Sequence, residues 1–165
     1  MPTFLFENLT SASKEEIATL SDCYFEARII DSPSNYFAKL SNSEQAEILA
    51  FYRNGKFLKI LESGKMVGSI GHGVKPGSDI IMISYILLPM FRGKGLFHPL
   101  IDAFAAWCLE RYPDKKYFRA NAEKTNLASI ISLRRAGFEF LEERMDGPDE
   151  DHQVPFQCFI KKISE

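Results

Sequence analysis

The segment Phe91-Arg92-Gly93-Lys94-Gly95-Leu96 is the part of this chain whose residue types and spacing could do chemistry. It lies between an apolar run and an amphipathic stretch. Two glycines let a backbone bend tightly and approach a ligand closely. The N–H groups of such a loop, with a helix start behind them, converge on one spot. The helix dipole adds about half a positive charge there, and Arg92 and Lys94 add mobile cations. The combination predicts an anion site, most naturally for a phosphate or pyrophosphate. A Gly-rich strand-to-helix turn with solvated basic side chains would have the same sequence. Two other phosphate loops do not fit. The dinucleotide fingerprint needs a third glycine, but Gly93-Lys94-Gly95 continues Leu96-Phe97-His98, and a Walker loop needs Ser or Thr where Gly95 stands.

A second segment, Asn126-Leu127-Ala128-Ser129-Ile130, opens a helical stretch that runs to Leu133-Arg134-Arg135-Ala136-Gly137-Phe138. Asn is a preferred helix N-cap, and Ser129 falls in the first turn, so both have ordinary structural uses. Gly68-Ser69-Ile70-Gly71-His72-Gly73 lies inside a strand-like run, where close packing or a bulge explains the glycines. Asp149-Glu150-Asp151-His152 has no second His or Cys at ligand spacing and reads as a solvated loop; no metal is expected. Cys23, Cys108 and Cys158 are too far apart for a disulfide framework or a zinc pattern. They read as reduced thiols in a reducing compartment.

The elements that must position these segments follow from periodicity. Thr3–Leu9 reads as a strand. Ser13-Lys14-Glu15-Glu16 has capping-box form, and Ile17, Leu20, Tyr24 and Ala27 follow at helical spacing until Ser32-Pro33-Ser34-Asn35 breaks it. Ser41-Asn42-Ser43-Glu44 opens a second helix through Ile48, Leu49 and Tyr52, ended by Asn54-Gly55. Lys56–Glu62, Met66–Val74 and Ile80–Leu88 read as strands, joined by a short turn at Ser63-Gly64-Lys65 and a type II turn at Pro76-Gly77. The last of them is almost continuously apolar, as a strand buried on both faces would be. Leu96–Arg111 returns to helix, with Phe97, Leu100, Ile101, Phe104 and Cys108 on one face; Pro99 is tolerable in its first turn. Tyr117–Ala122 is a strand, Leu127–Ala136 a helix closed by Gly137, and Phe138–Glu142 and Val154–Ile160 two last strands around a polar loop, Asp146–Gln153. The order gives a mixed α/β sheet in one domain, residues 1–165.

Composition bounds the function. Hydrophobic residues make up 45% and charged residues 25%, which argues against a disordered chain, a collagen or a disulfide-framed mini-protein. The net charge of −2 supplies no global basic field, so nucleic acid is not an expected partner. Ile80 to Met90 is too short to span a bilayer. Residues 1–4 lack a basic region, an apolar stretch and a cleavage site. The expected setting is cytoplasmic, away from a membrane.

The two glycine and asparagine segments, in this order and spacing, resemble the GCN5-related N-acetyltransferase (GNAT) superfamily. Arg92-Gly93-Lys94-Gly95 looks like its acyl-CoA pyrophosphate loop. Asn126-x-x-Ser129-Ile130, then Leu133 and Gly137-Phe138, looks like its second cofactor segment. Together with Tyr85-x-Leu87-x-Pro89 they are most similar to the branch that contains ribosomal-protein N-terminal and spermidine acetyltransferases. The resemblance covers about residues 56–140. It implies a largely antiparallel twisted sheet flanked by helices, with a parallel strand pair, Ile80–Leu88 and Tyr117–Ala122, splayed around the pantetheine arm of acetyl-CoA. Backbone groups at Leu87 and Leu88 would pair with the pantetheine amides. The N–H groups of Arg92, Gly93, Lys94, Gly95, Leu96 and Phe97 would hold the pyrophosphate, and Asn126 would face the CoA arm. Arg134 and Arg135 would be in reach of the 3′-phosphate.

The resemblance further implies direct acetyl transfer to a primary amine in a ternary complex, the amine being a protein N-terminus, a polyamine or another small amine. A backbone N–H at Leu87 or Leu88 would meet the oxyanion. Many members carry Tyr where Leu133 stands, which puts Ser129 forward as partner of the leaving thiolate. A Glu common in the family is replaced by Met82. Glu123 is then the first candidate base, followed by Glu26 and His72. Dimers are common in this branch. The competing reading is a non-catalytic acyl-CoA-binding sensor or interaction domain; a phosphate-binding protein unrelated to CoA is the third.

Overall fold

The computed structural model describes residues 2–26, 36–147 and 153–164, with the side chains of residues 25 and 26 excepted. The helix break expected at Ser32-Pro33-Ser34-Asn35 and the acidic run Asp149-Glu150-Asp151-His152 lie outside the described residues.

The elements run β1 (Phe4–Asn8), α1 (Lys14–Glu26), α2 (Tyr36–Lys39), α3 (Asn42–Tyr52), β2 (Phe57–Glu62), β3 (Lys65–Val74), β4 (Ile80–Leu87), α4 (Phe97–Arg111), β5 (Tyr117–Glu123), α5 (Leu127–Arg135), β6 (Glu139–Asp146) and β7 (Val154–Lys162). The strands form one seven-stranded sheet in the order β1-β2-β3-β4-β5-β7-β6. β4 and β5 pair in parallel, from Ile80↔Tyr117 to Ile83↔Ala120, and both strands run on past that last rung. The pairs β1–β2, β2–β3, β5–β7 and β6–β7 are antiparallel. The mixed, largely antiparallel sheet is therefore as expected. Among the described residues, no helix is long and apolar enough to cross a membrane.

Local chemistry sets most boundaries. Ser13 N–H donates to Glu16 Oε2 (2.9 Å) and Glu16 N–H to Ser13 Oγ (3.1 Å), closing the capping box that starts α1. Ser41 and Glu44 close another at α3. Ser63 and Gly64 both take positive φ, 50° and 73°, as a two-residue hairpin turn requires. Ser78 N–H donates to Lys75 O (3.2 Å) across the Pro76-Gly77 turn, with Gly77 at φ 76°. The four-residue α2 had no expectation from the sequence, since it is too short to show a period. β6 and β7 extend beyond the expected Phe138–Glu142 and Val154–Ile160, because pairing with β7 carries β6 out to Asp146 and pairing with β5 carries β7 out to Lys162.

The chain packs as two compact units. One comprises Pro2–His72 and Tyr85–Lys94. Its core gathers Leu9, Ala12, Ile17, Leu20, Cys23, Tyr52 and Leu88, with Ile48, Leu49, Phe57, Met66, Ile86 and Phe91 against it. The other comprises Gly73–Ser84 and Gly95–Glu165. There Ile81, Leu100, Ile101, Phe104, Phe118, Leu133 and Phe159 are fully buried, and the rings of Phe104 and Phe118 stack 5.5 Å apart. The helical face expected for α4 is the buried one.

One expectation fails. β4 is not buried on both faces: Ile81 and Ile83 are buried, while Met82 is 41% exposed and Ser84 is exposed. An apolar run shows that a strand is central; it does not show which face is covered.

The first capping box makes acid stability testable. The Ser13 N–H holds the Glu16 carboxyl below its ordinary value, against a smaller opposing effect of burial, and Lys59 adds to the lowering. The unfolded carboxyl takes its proton near 4.5, the folded one only at lower pH. This stabilisation is therefore whole above about 4.5 and fades as pH falls through the folded value. Glu16→Gln should flatten the acid limb of the stability–pH curve, read by urea unfolding between pH 3 and 6. An unchanged acid limb would contradict it.

Candidate functional site

The glycine loop is built by the turn before it. Pro89–Phe91 form a short 3-10 turn, closed by Arg92 N–H donating to Pro89 O (3.1 Å). Gly93 and Gly95 then adopt left-handed φ of 70° and 72°. A Cβ at either would meet nothing within 4 Å, so conformation, not space, demands glycine here. Arg92 to Gly95 are exposed, and Lys94 Nζ sits 5.8 Å from the Phe91 ring centroid. Leu96 is the N-cap of α4 and offers no side-chain cap. The helix start thus keeps the positive end of its dipole without a capping oxygen. Pro99, in the first turn, brings no N–H.

Two expected backbone positions precede the loop. Leu88 N–H donates to Val67 O (2.9 Å). Of the two donors expected at Leu87 and Leu88, the second is therefore engaged within the sheet. Successive residues of a strand alternate direction, which turns the polar groups of Leu87 away from β3. Arg92 Nε donates to Leu87 O (2.8 Å), a contact no spacing rule could have shown. Gly68 lies against this stretch: a Cβ there would overlap the Ile86 carbonyl oxygen and come within 3.1 Å of Leu87 Cα. The β2–β3 register also shifts between Ile60 and Leu61. The close packing expected of the Gly68 run is present at Gly68, whereas the bulge falls just before the run, at Val67, and the pairing from Gly68 to Gly71 is regular.

The second segment is organised by helix ends. Asn126 Oδ1 accepts from Ser129 N–H (3.1 Å), so Asn126 is the N-cap of α5. Ser129 is half-buried. At the far end, Phe138 N–H donates to Leu133 O (3.0 Å) and Gly137 N–H to Arg134 O (3.0 Å), with Gly137 at φ 83°. This is a Schellman stop, and Leu133 and Phe138 are both buried beside it. Leu133 and Gly137-Phe138 thus belong together as a helix terminator. Arg134 and Arg135 are exposed.

The candidate bases separate. Glu123 ends β5 half-buried, opposite Phe156 of β7, and its carbonyl accepts from Asn126 N–H (2.8 Å). His72 is half-buried on β3, and burial lowers its imidazole below the ordinary value, with a hydrogen bond to the Lys56 backbone opposing. The Glu26 side chain lies outside the described residues. Cys23, Cys108 and Cys158 are free and buried, and burial pushes the Cys108 thiol up to about 12. Such a thiol stays protonated and is a poor nucleophile. Among the described residues no three His, Cys, Asp or Glu side chains gather as a metal set.

Comparison with known proteins bears on the family and the fold. A family model described as an acetyltransferase (GNAT) domain matches residues 10–139. No curated protein matches the chain. Among solved structures, the chain is similar to a GNAT-family acetyltransferase from Bacillus anthracis, with a TM-score of 0.72 at 11% identity over 98% of this chain and 96% of that one. It is similar to RimL, a ribosomal L7/L12 alpha-N-protein acetyltransferase solved with coenzyme A, with a TM-score of 0.69 at 15% identity over 97% and 94%. It is also similar to yncA, a putative acetyltransferase of Salmonella typhimurium solved with acetyl-CoA, with a TM-score of 0.65 at 20% identity over 99% and 95%. At these identities the solved structures speak for the fold.

Proposed function

The chain belongs to the GNAT acetyltransferase family, whose model matches residues 10–139, and from that we propose that it transfers an acetyl group from acetyl-CoA to a primary amine by direct attack in a ternary complex. The observation that carries the reading is the loop with left-handed Gly93 and Gly95 ahead of an α4 start without a side-chain cap. Such a loop turns successive N–H groups toward one anion. The pyrophosphate is assigned to the amides of Arg92, Gly93, Lys94, Gly95, Leu96 and Phe97. Asn126 and Ser129 are assigned to the CoA arm. Residues 1–165 are taken as one acetyltransferase domain, of which the family match covers residues 10–139. Three buried free cysteines suit a reducing cytoplasm.

The chemistry follows the needs of the reaction. The amine nitrogen attacks the thioester carbonyl and forms the C–N bond, Glu123 takes the proton the nitrogen sheds, and the C–S bond breaks. The Leu87 N–H is the oxyanion donor, since that of Leu88 is held by Val67. The Ser129 hydroxyl protonates the leaving thiolate and regains its proton from water. No acyl-enzyme is involved, the thiols being buried.

Ser129→Ala is the informative substitution, because the Asn126 cap uses the Ser129 backbone N–H and not its hydroxyl. It should lower kcat about a hundredfold with KM for acetyl-CoA nearly unchanged. Asn126→Ala instead removes the cap and about 1 kcal/mol of stability. Steady-state kinetics and thermal unfolding separate the two. A Ser129→Ala enzyme with unaltered kcat would remove Ser129 from the mechanism. The function itself is tested by amine-dependent release of free CoA thiol over an amine panel. Acetyl-CoA binding without thiol release from any amine would favour the non-catalytic acyl-CoA-binding reading.

A further inference from the structure

On the β5–β7–β6 ladder, Glu123 lies opposite Phe156, and Phe156 lies opposite Arg144. Directly opposed residues of antiparallel strands project to the same face. Glu123, Phe156 and Arg144 therefore form one row: a carboxylate, an aromatic ring and a guanidinium. Two strand spacings put the Cα atoms of Glu123 and Arg144 about 10 Å apart, and the long Arg144 side chain can cover much of that span. Phe156 is half-buried, and the Arg144 side chain is 57% exposed.

The next row on the same face is Asn121, Cys158 and Glu142. Arg119, two residues back along β5, reaches across β7 and donates through Nη2 to Glu142 Oε1 (2.6 Å). Arg144 pairs with the same oxygen through Nε at 2.8 Å. Glu142 is thereby fixed from one side and orients Arg144 from the other. The Nη pair of Arg144 is then the outer edge of its guanidinium, shaped for a planar carboxylate. Asp146 stands one row further out, opposite Val154. On this face Glu123, Glu139, Glu142 and Asp146 outweigh Arg119 and Arg144, so its overall charge draws any cationic amine, and what discriminates among amines is the place of Arg144 in the row.

We propose that this row sets the acceptor as an amino acid or close derivative, its amine at Glu123, its carboxylate on Arg144 and its apolar portion against Phe156. The inference rests on the N-acetyltransferase reading above. Within that reading it selects zwitterionic small amines over polyamines, which carry nothing for Arg144.

The test compares amino acids with their carboxamides and with spermidine, following thiol release from acetyl-CoA by the intact protein. A carboxamide has a more readily deprotonated amine, so chemistry alone would favour it. The expected result is a kcat/KM about ten- to a hundredfold higher for the best amino acid than for its carboxamide. Arg144→Gln should erase that ratio through KM, and Arg144→Lys should keep part of it. A purely structural role for Arg144 would lower both acceptors alike and leave the ratio intact. An intact ratio, or spermidine ahead of every amino acid, would overturn this assignment while leaving the acetyltransferase standing. Failure of every amine to release thiol would overturn both.

Discussion

Gly68→Ala should destabilise the protein by about 3 kcal/mol or more, a large share of the roughly 5–15 kcal/mol that holds a domain of this kind together. The added methyl would overlap the carbonyl oxygen of Ile86 and crowd Ile86 C and Leu87 Cα, each at 3.1 Å. These are backbone atoms, which cannot swing aside as a side chain can. Ile86 packs against the core that includes Leu88, and Leu88 is tied to Val67, the residue before Gly68. Relief therefore requires β3 and β4 to part where Leu87 approaches the site. Gly73, on the same strand, is the control: a Cβ there meets nothing within 4 Å, and its φ is not left-handed. Gly73→Ala should be neutral or stabilising by up to about 1 kcal/mol. Urea unfolding of both variants decides the point. A Gly68→Ala protein within about 0.5 kcal/mol of the parent would show that the strands separate without penalty.

The second large effect concerns binding. Gly93 and Gly95 have open space around the position of a Cβ, so bulk is not excluded there. Their φ values of 70° and 72° are what other residues resist, at about 1–2 kcal/mol each. A β-branched residue resists most. Gly95→Val should drive the loop to negative φ and turn its amides off their common target. Acetyl-CoA affinity should fall about a hundredfold, equivalent to about 2.7 kcal/mol. Thermal stability should drop much less than in Gly68→Ala, because the loop is exposed and packs against nothing at that point. Calorimetric titration with acetyl-CoA reads the first quantity and thermal unfolding the second. Affinity within threefold of the parent would mean that the loop amides do not hold the cofactor.

The features legible in the sequence were those written in short stretches of chain. Ser13 with Glu16, Ser41 with Glu44 and Pro76-Gly77 act within a few residues, and each forms the hydrogen bonds its residue types call for. Leu133 to Phe138 resembles part of a cofactor motif, and in the structure those residues build the end of α5 together. What stayed hidden depends on register and on partners distant in the chain. Whether Met82 is covered depends on what lies over the sheet. Val67, which takes the Leu88 N–H, is also the residue that the β2–β3 register skips opposite Ile60 and Leu61. The row of Glu123, Phe156 and Arg144 exists only once β7 has inserted between β5 and β6, a strand order no periodicity encodes.

The most direct measurement is a calorimetric titration of the purified protein with acetyl-CoA, repeated with dephospho-CoA and with pantetheine. If the bend at Arg92–Phe97 grips the diphosphate, acetyl-CoA and dephospho-CoA should both bind at one site per chain, and pantetheine, which lacks that group, should bind far more weakly. Equal affinity for all three, or no heat with any of them, would contradict the account.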